Sequence, residues 1–307
     1  MTVLLRDDEI RDRLDAPTTV AAMRAALLAA RSGRLVAPPR AAASLAGGRM
    51  VLTAGQLTDE WYGFRSYDTF GHPAGEQVVV LHDATTGEVR AVAVGAEIGS
   101  RRTGGLGAVA VDALARPDAA TVGLVGAGGQ AWAQLWAITA VRPVREVTVF
   151  SPTRSRREAF AARARTELGL AVRAVGSAPE AVRDRAVVVL ATTSVTPVVC
   201  AADLAPGTHV NLVGFKQRNR SEFGRDLLDT ADVLVTDSRP QAFAYDPPLL
   251  AADPPYAERL VELGAVLAGA VPGRTGPEQL TVFCSVGLAG TEVLLLAELA
   301  RAGVPGR

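Results

Sequence analysis

The sequence predicts an α/β protein in which a Rossmann-type, doubly wound parallel-sheet domain is joined to a smaller α+β domain formed by both chain ends. Three observations predict it. Thr121 to Ala140, TVGLVGAGGQAWAQLWAITA, reads as a buried strand, a glycine turn and an apolar helix. From Ala119 onward strand and helix patterns alternate, the mark of a parallel sheet with crossover helices. At 307 residues the chain is long for one compact core, which favours two domains.

Taken in order, Asp7 and Asp8 cap a short helix over Glu9 to Leu14, and Pro17 opens a helix from Thr18 to Ser32 that Gly33 ends. Extended segments follow at Leu35 to Leu45, Arg49 to Thr53, Tyr62 to Tyr67, Gln77 to His82 and Val89 to Val94. The turn Thr85-Thr86-Gly87-Glu88 joins the last two into a hairpin, and the set reads as a mostly antiparallel sheet. Ala96 to Ala115 has helical spacing, and Arg116-Pro117-Asp118 breaks it. Beyond the break, strands are predicted at Val122–Val125, Val147–Phe150, Ala171–Val175, Val187–Ala191, His209–Val213 and Val233–Thr236. A helix near Ala257 to Gly264, the strand TVFCS and an apolar helix from Gly287 to Ala302 complete the chain. That last helix must be covered, and it is expected to return to the first domain. The predicted domains are therefore 1–115 with 285–307, and 116–284.

In the glycine turn, Gly126, Gly128 and Ala131 match the dinucleotide pattern G-x-G-x-x-A between a strand and a helix. Gly126 permits the sharp turn, Gly128 lets backbone approach a pyrophosphate, and Ala131 lets the helix pack closely. The helix N-terminus offers unpaired N–H groups to phosphates. At the end of the next strand an acid would hold the ribose 2′-hydroxyl of NAD, but this chain has Ser151, followed by Arg154, Arg156 and Arg157. A missing acid and added cations suit a 2′-phosphate, so NADP(H) is favoured over NAD(H); the same arginines also suit a solvated helix start. Thr192-Thr193-Ser194 offers hydroxyls at the fourth strand end.

Composition narrows the partners. Lys+Arg and Asp+Glu both count 32, so there is no basic field for nucleic acid. Only Cys200 and Cys284 are present, without metal spacing, and His72, His82 and His209 lack zinc spacing, so no metal is expected. The acidic N-terminus and the lack of a long apolar run predict a soluble, cytoplasmic protein with no membrane partner. Hydrolase motifs are missing. Arg40, Arg65 and Arg102 are expected to face a cleft, and convergent guanidinium groups suit the carboxylate of an amino or keto acid, whereas each arginine taken singly suits a surface position.

Together these residues resemble the ornithine cyclodeaminase/mu-crystallin family. The likeness runs through Pro39-Arg40, Gly63-Phe64-Arg65, ATTG at 84–87, Arg102-Thr103-Gly104, GAGGQA, ATTS, PGTHVNLVG from Pro206, Glu222, VTDS at 235–238, Gly273-Arg274 and TVFCSVGLAGTE. The resemblance implies a homodimer in which strands of the first domain make the contact, a substrate site in that domain and a nicotinamide cofactor in the other. It places Arg40 and Arg102 on the substrate carboxylate and Arg65 where the family usually carries lysine near the reacting carbon. For the cofactor it implies Thr103, Gly126, Gly128, Gly129, Gln130, Ser151, Arg154, Thr193, Asn211, Val213, Gly214, Arg220 and Ser285.

Two departures bear on the reaction that the resemblance implies. Lys216 replaces the aspartate that serves the cyclodeaminases as general base, and Val51 falls where they carry a glutamate that assists substrate binding. Arginine at 65 orients an anion but is a poor acid or base. A reductase needs less: a hydride, a carboxylate pocket and one proton, and a protonated imine brings that proton itself. The expected activity is an NAD(P)H-dependent reductase or dehydrogenase at the C=N or C–N bond of a small α-imino or α-amino acid. Ammonia-releasing cyclodeamination is the alternative, and a non-catalytic NADPH-binding protein a further one. Arg65, Arg102 and Lys216 are the catalytic candidates. Lys216 is open to three roles: proton donor, holder of a second carboxylate, or solvent-facing residue.

Overall fold

The computed structural model of the chain describes residues 2–72 and 76–302. They divide into two compact units, Met1–Arg102 with Gly287–Arg307, and Thr103–Val286. The first unit opens with β1 (Val3–Arg6), α1 (Asp7–Arg13) and α2 (Ala16–Arg31). Six more strands follow: β2 (Leu35–Val36), β3 (Ala41–Leu45), β4 (Gly48–Leu57), β5 (Trp61–Asp68), β6 (Val78–Asp83) and β7 (Val89–Val94). The Asp15 side chain accepts from Thr18 N–H and Pro17 stands in the first turn, so α2 begins where its cap chemistry dictates. The strands form one sheet in the order β1-β7-β6-β5-β4-β2, with β3 also on β4; β1 runs parallel to β7 and the other pairs are antiparallel. β1 has no counterpart among the predicted strands, because Val3-Leu4-Leu5 is too short to show a period. Leu35 to Leu45, expected as one extended segment, is divided by Pro38 and Pro39 into β2 and β3.

The helix α3 (Glu97–Leu114) crosses from the first unit to the second, and the division falls between Arg102 and Thr103, upstream of the break at Arg116-Pro117-Asp118. Its later part is deeply buried: Leu106, Ala108, Val109, Ala110, Val111 and Leu114 have no exposed surface. Compactness follows packing, so that half of the helix belongs with the second unit.

The second unit continues with β8 (Thr121–Val125), α4 (Gly129–Ile138), β9 (Glu146–Phe150), α5 (Arg154–Leu168), β10 (Ala171–Ala174), α6 (Ala178–Val182), β11 (Val187–Leu190) and β12 (His209–Leu212). After them come the two-residue strands β13 (Lys216–Gln217) and β14 (Arg220–Ser221), then α7 (Arg225–Thr230), β15 (Val233–Thr236), α8 (Arg239–Phe243), α9 (Tyr256–Arg259), β16 (Leu260–Glu262), α10 (Leu263–Leu267) and β17 (Thr281–Cys284). Eight of these strands make an all-parallel sheet, β10-β9-β8-β11-β12-β17-β15-β16. Its central strands β11, β12 and β17 are buried at every position, as a sheet covered on both faces requires. The helix expected near Ala257 to Gly264 is interrupted, because Leu260-Val261-Glu262 pairs with β15 and completes the sheet edge. The last helix, α11 (Thr291–Ala302), belongs to the first unit and packs on β5, β6, β7 and α2. Among the described residues no helix is long and apolar enough to cross a membrane.

A line of polar groups runs through the core of the second unit. Arg274 Nη2 donates to Thr281 Oγ1 (3.1 Å), which lies 2.8 Å from His209 Nδ1. His209 Nε2 is 2.9 Å from Asn211 Oδ1, and Asn211 Nδ2 donates to Gln134 Oε1 (2.9 Å) and to the Gly107 carbonyl (3.1 Å). Gln134 Nε2 then donates to the Thr103 carbonyl (2.8 Å). With the Asn211 amide nitrogen turned toward two oxygens, its own oxygen faces the imidazole, so neutral His209 carries its proton on Nε2. Burial pushes His209 from 6.5 down to about 3, against the Asn211 hydrogen bond, with Arg274 and Arg142 adding to the fall. Below pH 6.5 the unfolded chain takes up a proton here that the folded chain refuses. Stability should therefore fall as pH drops from 6.5 toward about 3, by up to about 1.4 kcal/mol per pH unit. Urea unfolding across that window should show the slope in the wild type and a shallower one in His209→Gln; equal slopes would assign the proton uptake to another group.

Candidate active site

In the second unit a cleft of about 470 Å³ opens beyond the carboxyl ends of β8, β9 and β11. Its wall is the turn after β8 (Gly126, Ala127, Gly128), the segment Ser151-Pro152-Thr153 with Arg156, and Ala191 to Ser194 after β11. Gly126 has φ +119°, and a Cβ there would collide with the Ala191 carbonyl, so only glycine makes the turn. Around Gly128 the space is open, and no side chain among the described residues caps α4. This ten-residue helix starts beside the cleft wall, its N-cap Gly128 supplying no side chain to its first N–H groups, and Ala131 is fully buried. These are the requirements of a dinucleotide pyrophosphate, and the residues present fit one.

Of the cofactor residues expected from sequence, Gly126, Gly128, Ser151 and Thr193 line this cleft. Gly129 and Gln130 form the exposed first turn of α4. Arg154 is not among the lining residues; its side chain is 80% exposed and pairs with Glu158 at 2.7 Å. Arg156 is the arginine on the cleft wall, and Arg157 holds the loop by donating to the Ser151 carbonyl (2.8 Å). A signal for this was present in sequence, since an acid four residues after Arg154 on one helix face captures it. The Asn211 side chain is fully buried and its amide is engaged by Gly107, Gln134 and His209, so it faces the core. Thr103 is buried, with its carbonyl held by Gln134. Ser285 is buried after β17 and its N–H donates to the Leu212 carbonyl (3.1 Å).

After β12, Val213 and Gly214 begin a loop in which Lys216 Nζ donates back to the Val213 (3.1 Å) and Gly214 (2.6 Å) carbonyls. Arg220 lies over the Phe215 ring at 4.3 Å, and its buried Nε has no hydrogen-bond partner among the described residues. Glu222, to which the sequence reading gave no role, is fully buried here and accepts from Thr192 N–H (2.7 Å), Thr192 Oγ1 (2.8 Å) and Gly214 N–H (2.6 Å). Burial raises its carboxyl above the usual range despite the Thr192 N–H, Lys216 and the Gly214 N–H.

In the first unit the three expected arginines come together. Arg65 Nη1 donates to Glu292 Oε1 at 2.8 Å, and Arg102 Nε lies 2.9 Å from the same oxygen. Arg65 Nε donates to Gln77 Oε1 (2.9 Å), and its guanidinium stacks 4.2 Å over the Tyr67 ring, whose hydroxyl accepts from Arg40 Nη1 (3.1 Å). Arg65 and Arg102 are buried and Arg40 half-buried. Glu292 is 1% exposed; burial alone would raise its carboxyl, but Arg102 and Arg65 hold it below the usual carboxylate range. Burial lowers Arg65 from the ordinary arginine value, Glu292 opposing and Arg102 reinforcing. Two guanidinium groups share one carboxylate and a third joins them through Tyr67, so the cluster keeps net positive charge. Val51, opposite Tyr67 in the β4–β5 register, is buried. Sequence reasoning missed Glu292, although an acid in the otherwise apolar start of α11 was a visible signal.

The remaining polar candidates have ordinary placements. His72 is exposed, and His82 stacks on Tyr62 at 4.7 Å. Burial pushes the Cys284 thiol up to about 12, which removes it as a nucleophile. Among the described residues no group of three or more His, Cys, Asp or Glu could hold a metal ion.

The family model for the ornithine cyclodeaminase/mu-crystallin family matches residues 2–299. The chain belongs to that family. It is 32% identical over 225 residues to a Delta(1)-pyrroline-2-carboxylate reductase of Bacillus cereus, covering 71% of this chain and 68% of the relative. It is also 32% identical over 227 residues to the ketimine reductase mu-crystallin of Mus musculus, covering 74% and 69%. Among solved structures, Delta(1)-pyrroline-2-carboxylate reductase of Thermococcus litoralis, in complex with NADH and L-proline, superposes with a TM-score of 0.89 at 27% identity, covering 99% of both chains.

The energetics of the Glu292 cluster are testable. Glu292→Gln removes the counter-charge of two buried guanidinium groups, and denaturant unfolding should register a loss of about 3–5 kcal/mol. A loss under about 1 kcal/mol would show that Arg65 and Arg102 find other acceptors.

Proposed function

We propose that this chain is an NAD(P)H-dependent imine reductase that acts on the C=N bond of a small α-imino acid, with cyclic ketimine carboxylates of the pyrroline-2-carboxylate kind as the substrate class. The relatives at 32% identity are named for this chemistry, and one observation favours reduction over cyclodeamination. At 216 a lysine, its ammonium bound by the Val213 and Gly214 carbonyls, stands where a cyclodeaminase needs a carboxylate base. The nicotinamide, when bound, supplies a hydride. Arg65 and Arg102, fixed by Glu292, are assigned to the substrate carboxylate, with Arg40 beside them through Tyr67. A permanently charged guanidinium near the reacting carbon orients the substrate without taking its proton, which suits an imine already protonated at nitrogen.

The cofactor's adenosine end is assigned to the cleft beside Ser151, with Arg156 in reach of a 2′-phosphate and no acid to repel it, so NADP(H) is the preferred form. The chain is further inferred to act as a homodimer through the first-unit sheet. Support comes from β3, exposed along its length, and from Val36 (51%), Leu45 (51%), Met50 (47%) and Leu52 (39%), large apolar side chains left in water around it. Two free thiols, Cys200 and Cys284, fit a reducing, cytoplasmic setting.

The reaction is tested by following NADPH and NADH absorbance with pyrroline-2-carboxylate, piperideine-2-carboxylate and pyruvate–amine mixtures, with ammonia assayed from ornithine in parallel. Cofactor oxidation by the imines is expected; ammonia from ornithine with no net change in cofactor would make the protein a lyase. For the nucleotide, Ser151→Asp with Arg156→Ala should move preference from NADPH to NADH, while Arg154→Ala leaves it unchanged. Unaltered preference in the double variant would refute the 2′-phosphate assignment. Light scattering should give twice the 31.9 kDa chain mass, and a monomer would refute the dimer.

A further inference from the structure

β11 and β12 are parallel neighbours in the second sheet, with Leu190 opposite Leu212, so the loops that leave their carboxyl ends start side by side. One loop carries Thr192, on the cleft wall; the other carries Val213 and Gly214. The Glu222 carboxylate bridges them: one oxygen takes Thr192 N–H and hydroxyl, the other takes Gly214 N–H. Gly214 is pressed so closely that a Cβ would overlap both Glu222 Oε2 and the Thr192 carbonyl oxygen, so glycine here is a condition of the bridge. On its other side the same residue is held by Lys216, whose ammonium takes the Gly214 carbonyl (2.6 Å) and the Val213 carbonyl (3.1 Å). The Gly214 turn is gripped from both ends, by an anion at its N–H and a cation at its C=O.

The order β9-β8-β11-β12 fixes which part of a dinucleotide lies over this clamp. With the adenosine ribose at Ser151 beyond β9 and the pyrophosphate over the β8 turn, the other half of the cofactor extends over β11 and β12. We propose that Glu222 and Lys216 are positioning residues that clamp the Gly214 turn and so place the nicotinamide half of the cofactor, Lys216 acting as a loop tie and not as the proton donor. The inference rests on the reading of the cleft as a nicotinamide-dinucleotide site. The bridge depends on acceptor chemistry alone. Three donors converge on Glu222, and a glutamine there would turn an N–H of its own toward at least one of them.

The test titrates full-length wild type, Glu222→Gln and Lys216→Met with NADPH and NADH, and separately with ADP-ribose and its 2′-phosphate, which lack the nicotinamide. Both variants should bind the complete dinucleotides about tenfold or more weakly, yet hold the truncated ligands within about twofold of wild type. Lys216→Arg, which keeps the cation, should recover most of the loss. Thr192→Val removes one donor and keeps the shape, so it should reproduce part of the Glu222→Gln effect if that variant folds poorly. Equal weakening of truncated and complete ligands would mean that the pair merely holds the cleft together, and would overturn the proposal, as would no weakening at all. A Lys216→Met protein with unchanged cofactor affinity, collapsed kcat and a lost alkaline limb in its pH–rate profile would make Lys216 the proton donor. A wild type that binds dinucleotides but reduces no imine would refute the reaction and leave the clamp measurable. A wild type that binds neither ligand would refute both.

Discussion

A carboxylate withdrawn from water loses solvation worth several kcal/mol, and a fold that does this must bring donors to it. This chain does so most completely at Glu222 in the second unit and at Glu292 in the first, and much of the local architecture follows. Around Glu292 the requirement is met by side chains from distant elements, Arg65 on β5 and Arg102 on α3, which fixes two long, otherwise mobile guanidinium groups in one place. Around Glu222 it is met mainly by backbone N–H groups and a hydroxyl, which joins two strand ends.

The two solutions have opposite electrostatic results. Full positive charges hold Glu292 below the usual carboxylate range, whereas the dipoles at Glu222, even helped by Lys216, do not overcome burial and its carboxyl is raised. The first arrangement leaves excess positive charge and therefore an appetite for an anion. The second is close to self-satisfied and acts through shape. The chain obtains these two different properties from the same residue type.

The parts that local pattern encodes were legible in the sequence. The strand–glycine–helix unit at Thr121 to Ala140, the parallel sheet behind it and the antiparallel sheet before it all follow from short-range periodicity and turn chemistry. The three arginines were legible as candidates and not as a cluster, because Arg40, Arg65 and Arg102 are brought together by Tyr67 and by Glu292, which lies far from all three along the chain. Helix phase separates two neighbouring arginines: Arg154 pairs with Glu158 in solvent, and Arg156 lines the cleft. Asn211 shows the limit of reading a motif by residue type. Its amide suits a ligand as well as it suits the core, and only the positions of Gln134, Gly107 and His209 commit it inward. Glu222 was missed for the same reason, since Thr192, which it ties to Gly214, is far from it along the chain.

The position of β17 has a consequence for how the molecule is made. This strand lies between β12 and β15 in the second sheet, yet it comes from residues 281–284, later in sequence than every strand it separates. During synthesis β15 and β16 have no docking edge on the rest of the sheet until that strand emerges, and the first unit's sheet still waits for α11. In a chain of this topology the contacts that complete the second sheet and cover the first are made by its last residues, 281–302, so closing either core is a long-range and late event in folding.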